Sequence, residues 1–433
     1  MTIRKRLLSC LALAGAATLG IAGCSSSGSS SSTPSSSATG ASSATGASSA
    51  TAASGATAAA AASKSPITVE IIAVLSNPAF SDPEAATAAQ AYVKQANASG
   101  GINGHPLVLQ VCDSNLNPNK ETACFQQAVT DHDAAVVGSF LLFGTGMKLL
   151  QAAGIPFIGG NGTTTAEFSS PISFPADSGE IGWYDGEAAL MKKAGVTKPA
   201  IMYCDTAACD LSVQFAQQYW TKNGGGTVKS VLAPLAQAAY SSQAASTASG
   251  GTNGVMMASA TQAIPKMVTD LRQANFTGPI ALIDSFVDSS TVSAMGSDAN
   301  GLLVSGLLDP VTQTSSAGVK AFVSAMNAEN PSAAKDGLSE HTWNGFDLFS
   351  QAAKTISGPI TGASLLQALE NIKTPITLGL SGPWVSPGAT AAPLSQYPRL
   401  TSDDLSYVPE KIENNQLVAT GPRAYLFPSS AGS

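Results

Sequence analysis

Six cysteines, three histidines and 28 acidic residues are the side chains of this 433-residue chain most able to do covalent, metal or acid–base chemistry. Four of the cysteines, Cys112, Cys124, Cys204 and Cys209, fall in the body of the chain. In an exported protein an even set of this kind forms disulfides. Order along the chain pairs Cys112 with Cys124 and Cys204 with Cys209, each pair bracketing a strand end and the start of the next helix. Loops this short contribute roughly 2–3 kcal/mol each when closed. A metal site instead needs Cys-x2-Cys or neighbouring histidines. The spacings here are 12 and 5, and the histidines are only His105, His132 and His341, so no metal or other cofactor is expected. Catalytic patterns are missing too: there is no Gly-x-Ser-x-Gly, no His-Glu-x-x-His and no Ser-x-x-Lys with its companions. Gly144-Thr145-Gly146-Met147-Lys148 lacks the Gly-Lys-Ser/Thr ending of a phosphate loop. The expectation is a protein that is not an enzyme, with a secreted hydrolase that uses only carboxylates as the remaining catalytic alternative.

The other two cysteines lie in a leader. Arg4-Lys5-Arg6 is a basic start, and Leu7 to Ile21 is an apolar run too short to span a bilayer. Gly20-Ile21-Ala22-Gly23-Cys24 resembles a bacterial lipoprotein box, which implies a signal peptide over 1–23, cleavage before Cys24 and lipid on Cys24. The alternative is a plain secretory signal with a chance cysteine. Residues 24–65 are almost wholly Ser, Ala, Gly and Thr. Such a segment cannot offset the entropy of ordering, and it reads as a tether with a mean reach of about 35 Å. Net charge is −7, and loss of the three leader cations leaves 18 basic residues against 28 acidic. An acidic chain without a basic cluster is a poor nucleic-acid binder, so no such partner is expected.

Elements must position whatever the body of the chain binds. Ile67–Leu75 is a β-branched apolar run of strand length, and Asp82-Pro83-Glu84 opens a helix for which Asp82 is the expected cap. Ser99-Gly100-Gly101 ends that helix, Ile102 to Pro106 turns, with His105 solvated, and Leu107–Cys112 is the next strand, ending on Asp113. Asp113 is expected to cap or brace the disulfide loop. Two strands joined by a helix make a right-handed parallel unit, and ligands gather at the carboxyl ends of such strands. Further strands are read at 134–140, 155–158, 199–204, 227–232, 255–259, 279–283 and 301–308, most of them separated by helix-length segments. The alternation predicts a doubly wound α/β protein. A Pro/Gly-rich stretch, 379–398, precedes two last strands, 405–412 and 416–419, with an Asn414-Asn415 turn.

Asn97-Ala98-Ser99-Gly100-Gly101-Ile102-Asn103-Gly104, followed by a strand ending in Asp113, resembles the hallmark of branched-chain-amino-acid-type periplasmic binding proteins. These are the type I substrate-binding components of ABC importers. Val137-Gly138, Gly154-Ile155-Pro156, Ser173 to Asp177 and the hairpin at Tyr407–Val418 are similar to later family features, so the likeness covers about residues 66–420. It implies two Rossmann-like lobes, 66–176 with 309–380 and 177–308 with 381–427, joined by three crossovers near Pro175, Leu308 and Ser381. A ligand would lie in the cleft, and hinge motion would close the lobes over it. The family's hydroxyl-bearing loop after the third strand is here Ser139-Phe140-Leu141-Leu142-Phe143. Asn161 and Thr163 fall on the loop after the fourth strand, Asp210 where the family often has Tyr-Gly, and Asp284 where an acid meets a ligand ammonium. No second-lobe tyrosine stands near Ala260-Thr261. The ligand implied is amino-acid-like, an amide or a more apolar small molecule. Phe80, Ser139, Phe140, Asn161, Thr163, Asp210 and Asp284 are the candidate contacts. Plainer roles stay open: Thr163 as a turn former, Asp284 as a cap, and Phe80, Phe140 and Phe143 as core. The partners implied are an ABC permease and the lipid at Cys24. The protein would be a monomer on the outer face of the bacterial cytoplasmic membrane, with a ligand-sensing receptor component as the alternative.

Overall fold

The structure is a computed structural model and describes residues 64–427; the leader, Cys24 and nearly all of the tether lie outside the described residues. The first sheet is built from β1 (Ile67–Ala73), β2 (Leu107–Asp113), β3 (Ala135–Val137), β4 (Phe157–Ile158) and β5 (Ser173–Phe174). Its order is β2-β1-β3-β4-β5, and every pairing is parallel. Such a sheet is covered on both faces, which is why β1 reads as a continuous apolar run with one acid, Glu70, inside it. Helices α1 (Pro83–Ala98), α2 (Pro118–Thr130), α3 (Met147–Ala153) and α4 (Thr165–Ser169) connect these strands.

α5 (Gly179–Lys193) leads into the second sheet. There β6 (Pro199–Tyr203), α6 (Ala207–Lys222), β7 (Lys229–Leu232), α7 (Ser241–Ala248), β8 (Gly254–Ala258), α8 (Ile264–Gln273), β9 (Ile280–Ile283), α9 (Ser289–Met295) and β10 (Leu303–Gly306) alternate. The parallel part runs β7-β6-β8-β9-β10, the same winding as the first sheet. The chain then returns. α10 (Ala317–Glu329) and α11 (Gly337–Lys354) pack on α1, and α12 (Gly362–Glu370) follows. β11 (Ile376–Thr377) and β12 (Pro383–Trp384) form a small ladder whose Trp384 lies in the first lobe's core. Trp384 Nε1 donates to Pro175 O, and Arg399 N donates to Phe168 O, so this segment follows the first lobe past Ser381. β13 (Ser406–Glu413) and β14 (Gln416–Ala419) extend the second sheet antiparallel, and β15 (Ala424–Tyr425) pairs with β13. Among the described residues no helix is long and apolar enough to cross a membrane.

Local chemistry explains the joints, and it differs from expectation in two places. Asp82 does not cap α1. Its Oδ1 accepts the Val74 N–H at 2.5 Å while Asp82 N donates to Val74 O, so the side chain is used to lock the strand-to-helix turn. His105 is not solvated: it is buried, with Nδ1 2.7 Å from Ser65 O. Gly101 (φ +76°) must lack a side chain, because a Cβ there would stand 2.0 Å from His105 O. Asn103, at the tip of the same turn, donates to the carbonyls of Ala353 and Lys354 at the end of α11 and of Ile356 just beyond it, and so ties the turn to the C-terminal return.

Candidate functional site

Both sheets have the order 2-1-3-4-5, which places a switch point beside the first strand of each lobe, and the two sets of carboxyl ends face one another. Between them lies a cavity of about 70 Å³. From the first lobe come Phe80 after β1, Leu116 after β2, Phe140 and Leu142 after β3, and Thr163 after β4. Leu338, in the first turn of α11, joins them. The second lobe supplies the Cys204–Cys209 turn after β6, Leu235 after β7, Ser259 and Ala260 after β8, and Ser285 and Phe286 after β9. Glu180, Trp183 and Tyr184 of α5 and Ser212 of α6 complete the wall. Phe80 and Phe140 stack with centroids 4.9 Å apart, and with Val74, Leu338 and Ala260 they form an apolar cluster that spans both lobes.

Two buried acids shape the first-lobe loops. Glu121, on α2, accepts the N–H groups of Leu142 (3.0 Å), Phe143 (3.2 Å) and Gly144 (2.7 Å). Glu167, on α4, accepts those of Gly162 (3.1 Å), Thr163 (3.1 Å) and Thr164 (2.9 Å). Their carboxylates satisfy the loop amides from behind, so apolar side chains are what the loops turn toward the cavity. Burial pushes the Glu167 carboxyl up to about 7, against its hydrogen bonds from Thr164 and Thr163. In the second lobe, Ser212 Oγ donates to Glu180 Oε2 at 2.7 Å, and Glu180 N donates to Gly162 O of the first lobe. Burial pushes the Glu180 carboxyl up to about 8; the Ser212 hydrogen bond opposes this and Glu167 adds to it.

The sequence-derived contacts are distributed unevenly. Phe80, Phe140 and Thr163 line the cavity, although the Thr163 hydroxyl is given to Leu141 O. Ser139 is buried behind the lining, its Oγ accepting the Ile72 N–H at 2.9 Å. Asn161 is buried on the same loop as Thr163, and neither polar atom of its side chain has a partner among the described residues. Asp210 is exposed on α6 and is not part of the cavity wall that its neighbour Cys209 joins. Asp284 is 2% exposed and stands one layer back. Its Oδ1 accepts Trp183 Nε1–H at 2.6 Å and its Oδ2 accepts Leu307 N–H at 2.8 Å, which fixes the Trp183 ring against the cavity. Phe143 is 39% exposed and outside the lining. Asp113 holds the β1 and β2 ends together, accepting from Leu75 N, Ser76 Oγ and Asn115 N.

The disulfides are Cys112–Cys124 and Cys204–Cys209, as sequence order pairs them. The first ties β2 to α2 away from the cavity, and the second forms part of its wall. Sequence reasoning did not single out Glu121, Glu167, Glu180, Trp183, Tyr184, Ser212 or Ser259. Only Glu167 had a local signal, the Thr164-x-x-Glu167 capping box. At the lobe boundary Gly337 allows a close approach: a Cβ there would stand 2.8 Å from Ser285 N and 2.9 Å from Asp284 Oδ1.

Solved structures share this architecture. A fatty acid ABC transporter substrate-binding protein from Thermomonospora curvata is 15% identical, with a TM-score of 0.70 over 86% of this chain and 95% of that one. A solute-binding protein from R. palustris, in complex with benzoate, is 16% identical, with a TM-score of 0.68 over 84% and 97%. A leucine-binding protein from Thermotoga maritima is 13% identical, with a TM-score of 0.66 over 83% and 98%. No curated protein sequence matches the chain. The sequence model described as periplasmic binding protein matches residues 66–397, and the chain belongs to that family.

Proposed function

We propose that this protein is the extracytoplasmic solute-binding component of an ABC importer, lipid-anchored at Cys24, which captures an amino-acid-like or amide small molecule between its lobes and presents it to a membrane permease. The observation that carries the reading is the partly open cavity at the facing switch points, lined by both lobes. Members of the family bind ligands rather than transform them, and solved relatives are described as binding leucine, benzoate or fatty acid. Phe80, Phe140 and Thr163 contact the ligand from one side; Asp284 acts by holding Trp183. Ser139 and Asn161 support the loops that carry Phe140 and Thr163, and Asp210 lies at the outer end of the disulfide turn. The protein works as a monomer and not as an enzyme.

Ligand capture is tested by a thermal-shift screen of amino acids, amides and small acids on the purified protein. A true ligand at a hundredfold excess over its dissociation constant should add about 2.7 kcal/mol to folding stability. A flat screen overturns the reading. Anchoring is tested separately: Cys24→Ser should move the protein from the membrane fraction to the medium, and unchanged fractionation would refute the lipid.

A further inference from the structure

The residues that line the cavity bear on the charge of its ligand. Among the described residues that form the wall there is no lysine, arginine or histidine, and the one ionisable acid is Glu180. Phe80, Phe140, Trp183, Tyr184 and Phe286 supply five aromatic faces. Hydrogen-bonding capacity is sparse and grouped on the second lobe. The Ser259 hydroxyl has no partner among the described residues, and the Ser212 hydroxyl is turned to Glu180.

We propose, building on the solute-binding reading above and narrowing its amino-acid-like or amide ligand to the amide side, that this cavity selects an uncharged, mainly apolar solute carrying one hydrogen-bonding group such as an amide or alcohol, and rejects carboxylates and free amino acids.

A carboxylate entering this space would lose its water and meet no opposite charge, and a buried unpaired charge is the least tolerated of all burdens in a protein interior. One basic group, His341, stands behind Trp183 with ring centroids 5.0 Å apart. Its Nδ1 lies 2.6 Å from Asp177 Oδ2, so any positive charge it carries is already paired. Burial disfavours that charge, and Asp177, Asp284 and Asp336 outweigh the burial. The ionisable groups acting on Glu180 or acted on by it are Glu167, Tyr184 and Glu187, none of them a cation. With its pKa near 8, Glu180 holds its proton at neutral pH, so the empty cavity carries no net charge. An amine is an ammonium ion at this pH; to be paired it would need Glu180 to release its proton to solvent, and it would still have to shed its own water. A neutral amide or alcohol needs neither, and it meets a donor and acceptor in Ser259 and Glu180. A separate surface pocket lined by Glu84, Asp288 and Asp336 likewise has no lysine, arginine or histidine among its lining residues.

Size sets a further condition. A cavity of about 150 Å³ holds one benzene ring. At about 70 Å³ this one accepts a short branched solute as it stands, and a ring only if the lobes part or Phe80 and Phe140 swing aside.

The test is calorimetric titration of the full chain at pH 7 with two matched series. One is isobutyramide, isobutyrate, isobutylamine and valine; the other is benzamide, benzoate, benzylamine and phenylalanine. The amide of at least one series should bind about 100-fold tighter than its carboxylate and its amino acid. If a carboxylate, an amine or an amino acid binds as well as or better than its amide, the charge selection is wrong while solute binding stands. If no member of either series binds, both readings fall.

Discussion

The two lobes wind their sheets the same way and bring the same strand ends to the cavity, yet they equip them differently. The first lobe offers Phe80, Leu116, Phe140, Leu142 and Leu338, and its one hydroxyl there, Thr163, donates to its own backbone. The second offers Glu180, Tyr184, Thr206, Ser212, Ser259 and Ser285 among its apolar groups. The cause is one layer back. In the first lobe Glu121 and Glu167 absorb the loop amides, whereas in the second the polar side chains remain at the surface of the cavity. On the proposed solute-binding reading, topology would decide where a ligand sits, and the residues behind each set of loops would decide what it meets. On that reading the first lobe would act as an apolar cover and the second as the half that chooses.

If that division holds, truncating the cover should mainly cost stability. Phe140→Ala removes the ring stacked on Phe80 within the cluster that spans the lobes. It should lower unfolding free energy by about 3–4 kcal/mol in urea titration. A loss below about 1 kcal/mol would show that the apolar contact between the lobes is not a packed core.

The disulfides sharpen the contrast, with a smaller effect. Cys112→Ser with Cys124→Ser should cost about 3 kcal/mol and leave ligand affinity unchanged, since that bridge lies away from the cavity. Cys204→Ser with Cys209→Ser should cost about 2 kcal/mol, because its loop is shorter, yet weaken ligand binding measurably. Equal binding losses from the two pairs would erase the distinction between wall and periphery.

The smallest effect is a pH slope, and each lobe contributes to it. Glu70 in the first lobe and Glu180 in the second are both raised to about 8, chiefly by burial. A carboxyl raised on folding keeps its proton while the unfolded chain loses it. Its contribution is therefore complete below about pH 4.5 and lost as pH climbs toward 8. Melting temperature should fall between pH 5 and pH 8, and Glu70→Gln should flatten part of that slope. Saturating the cavity with a neutral ligand should hold Glu180 protonated to higher pH without touching the Glu70 component. A melting temperature that rises over this interval would contradict both assignments.

What was legible in the sequence follows how local the cause is. The unit from Ile67 to Asp113 could be read closely, because a β-branched run, Pro83 and Gly100-Gly101 each act within a few residues. α4, α7, β5, β11 and β12 left too few residues to show a period. The helix holding Glu180, Trp183 and Tyr184 was recognisable as a helix. Which of its sides meets the cavity depends on packing against α6 and β10, and no pattern within the helix encodes that. Asp284 illustrates the same limit: its place after a strand was readable, but its engagement by Trp183 and Leu307 was not. The two disulfides were readable because their partners are neighbours along the chain.

Gly337 sets how far the two halves come together. Its bare Cα rests against the backbone of Ser285 and the carboxyl of Asp284, a residue that in turn steadies Trp183. The spacing of the lobes at this point is thus set by an atom that is missing from one residue, between Ser285 and Leu338 of the cavity wall. Any side chain added there would wedge the two halves apart before it touched the chemistry of the wall.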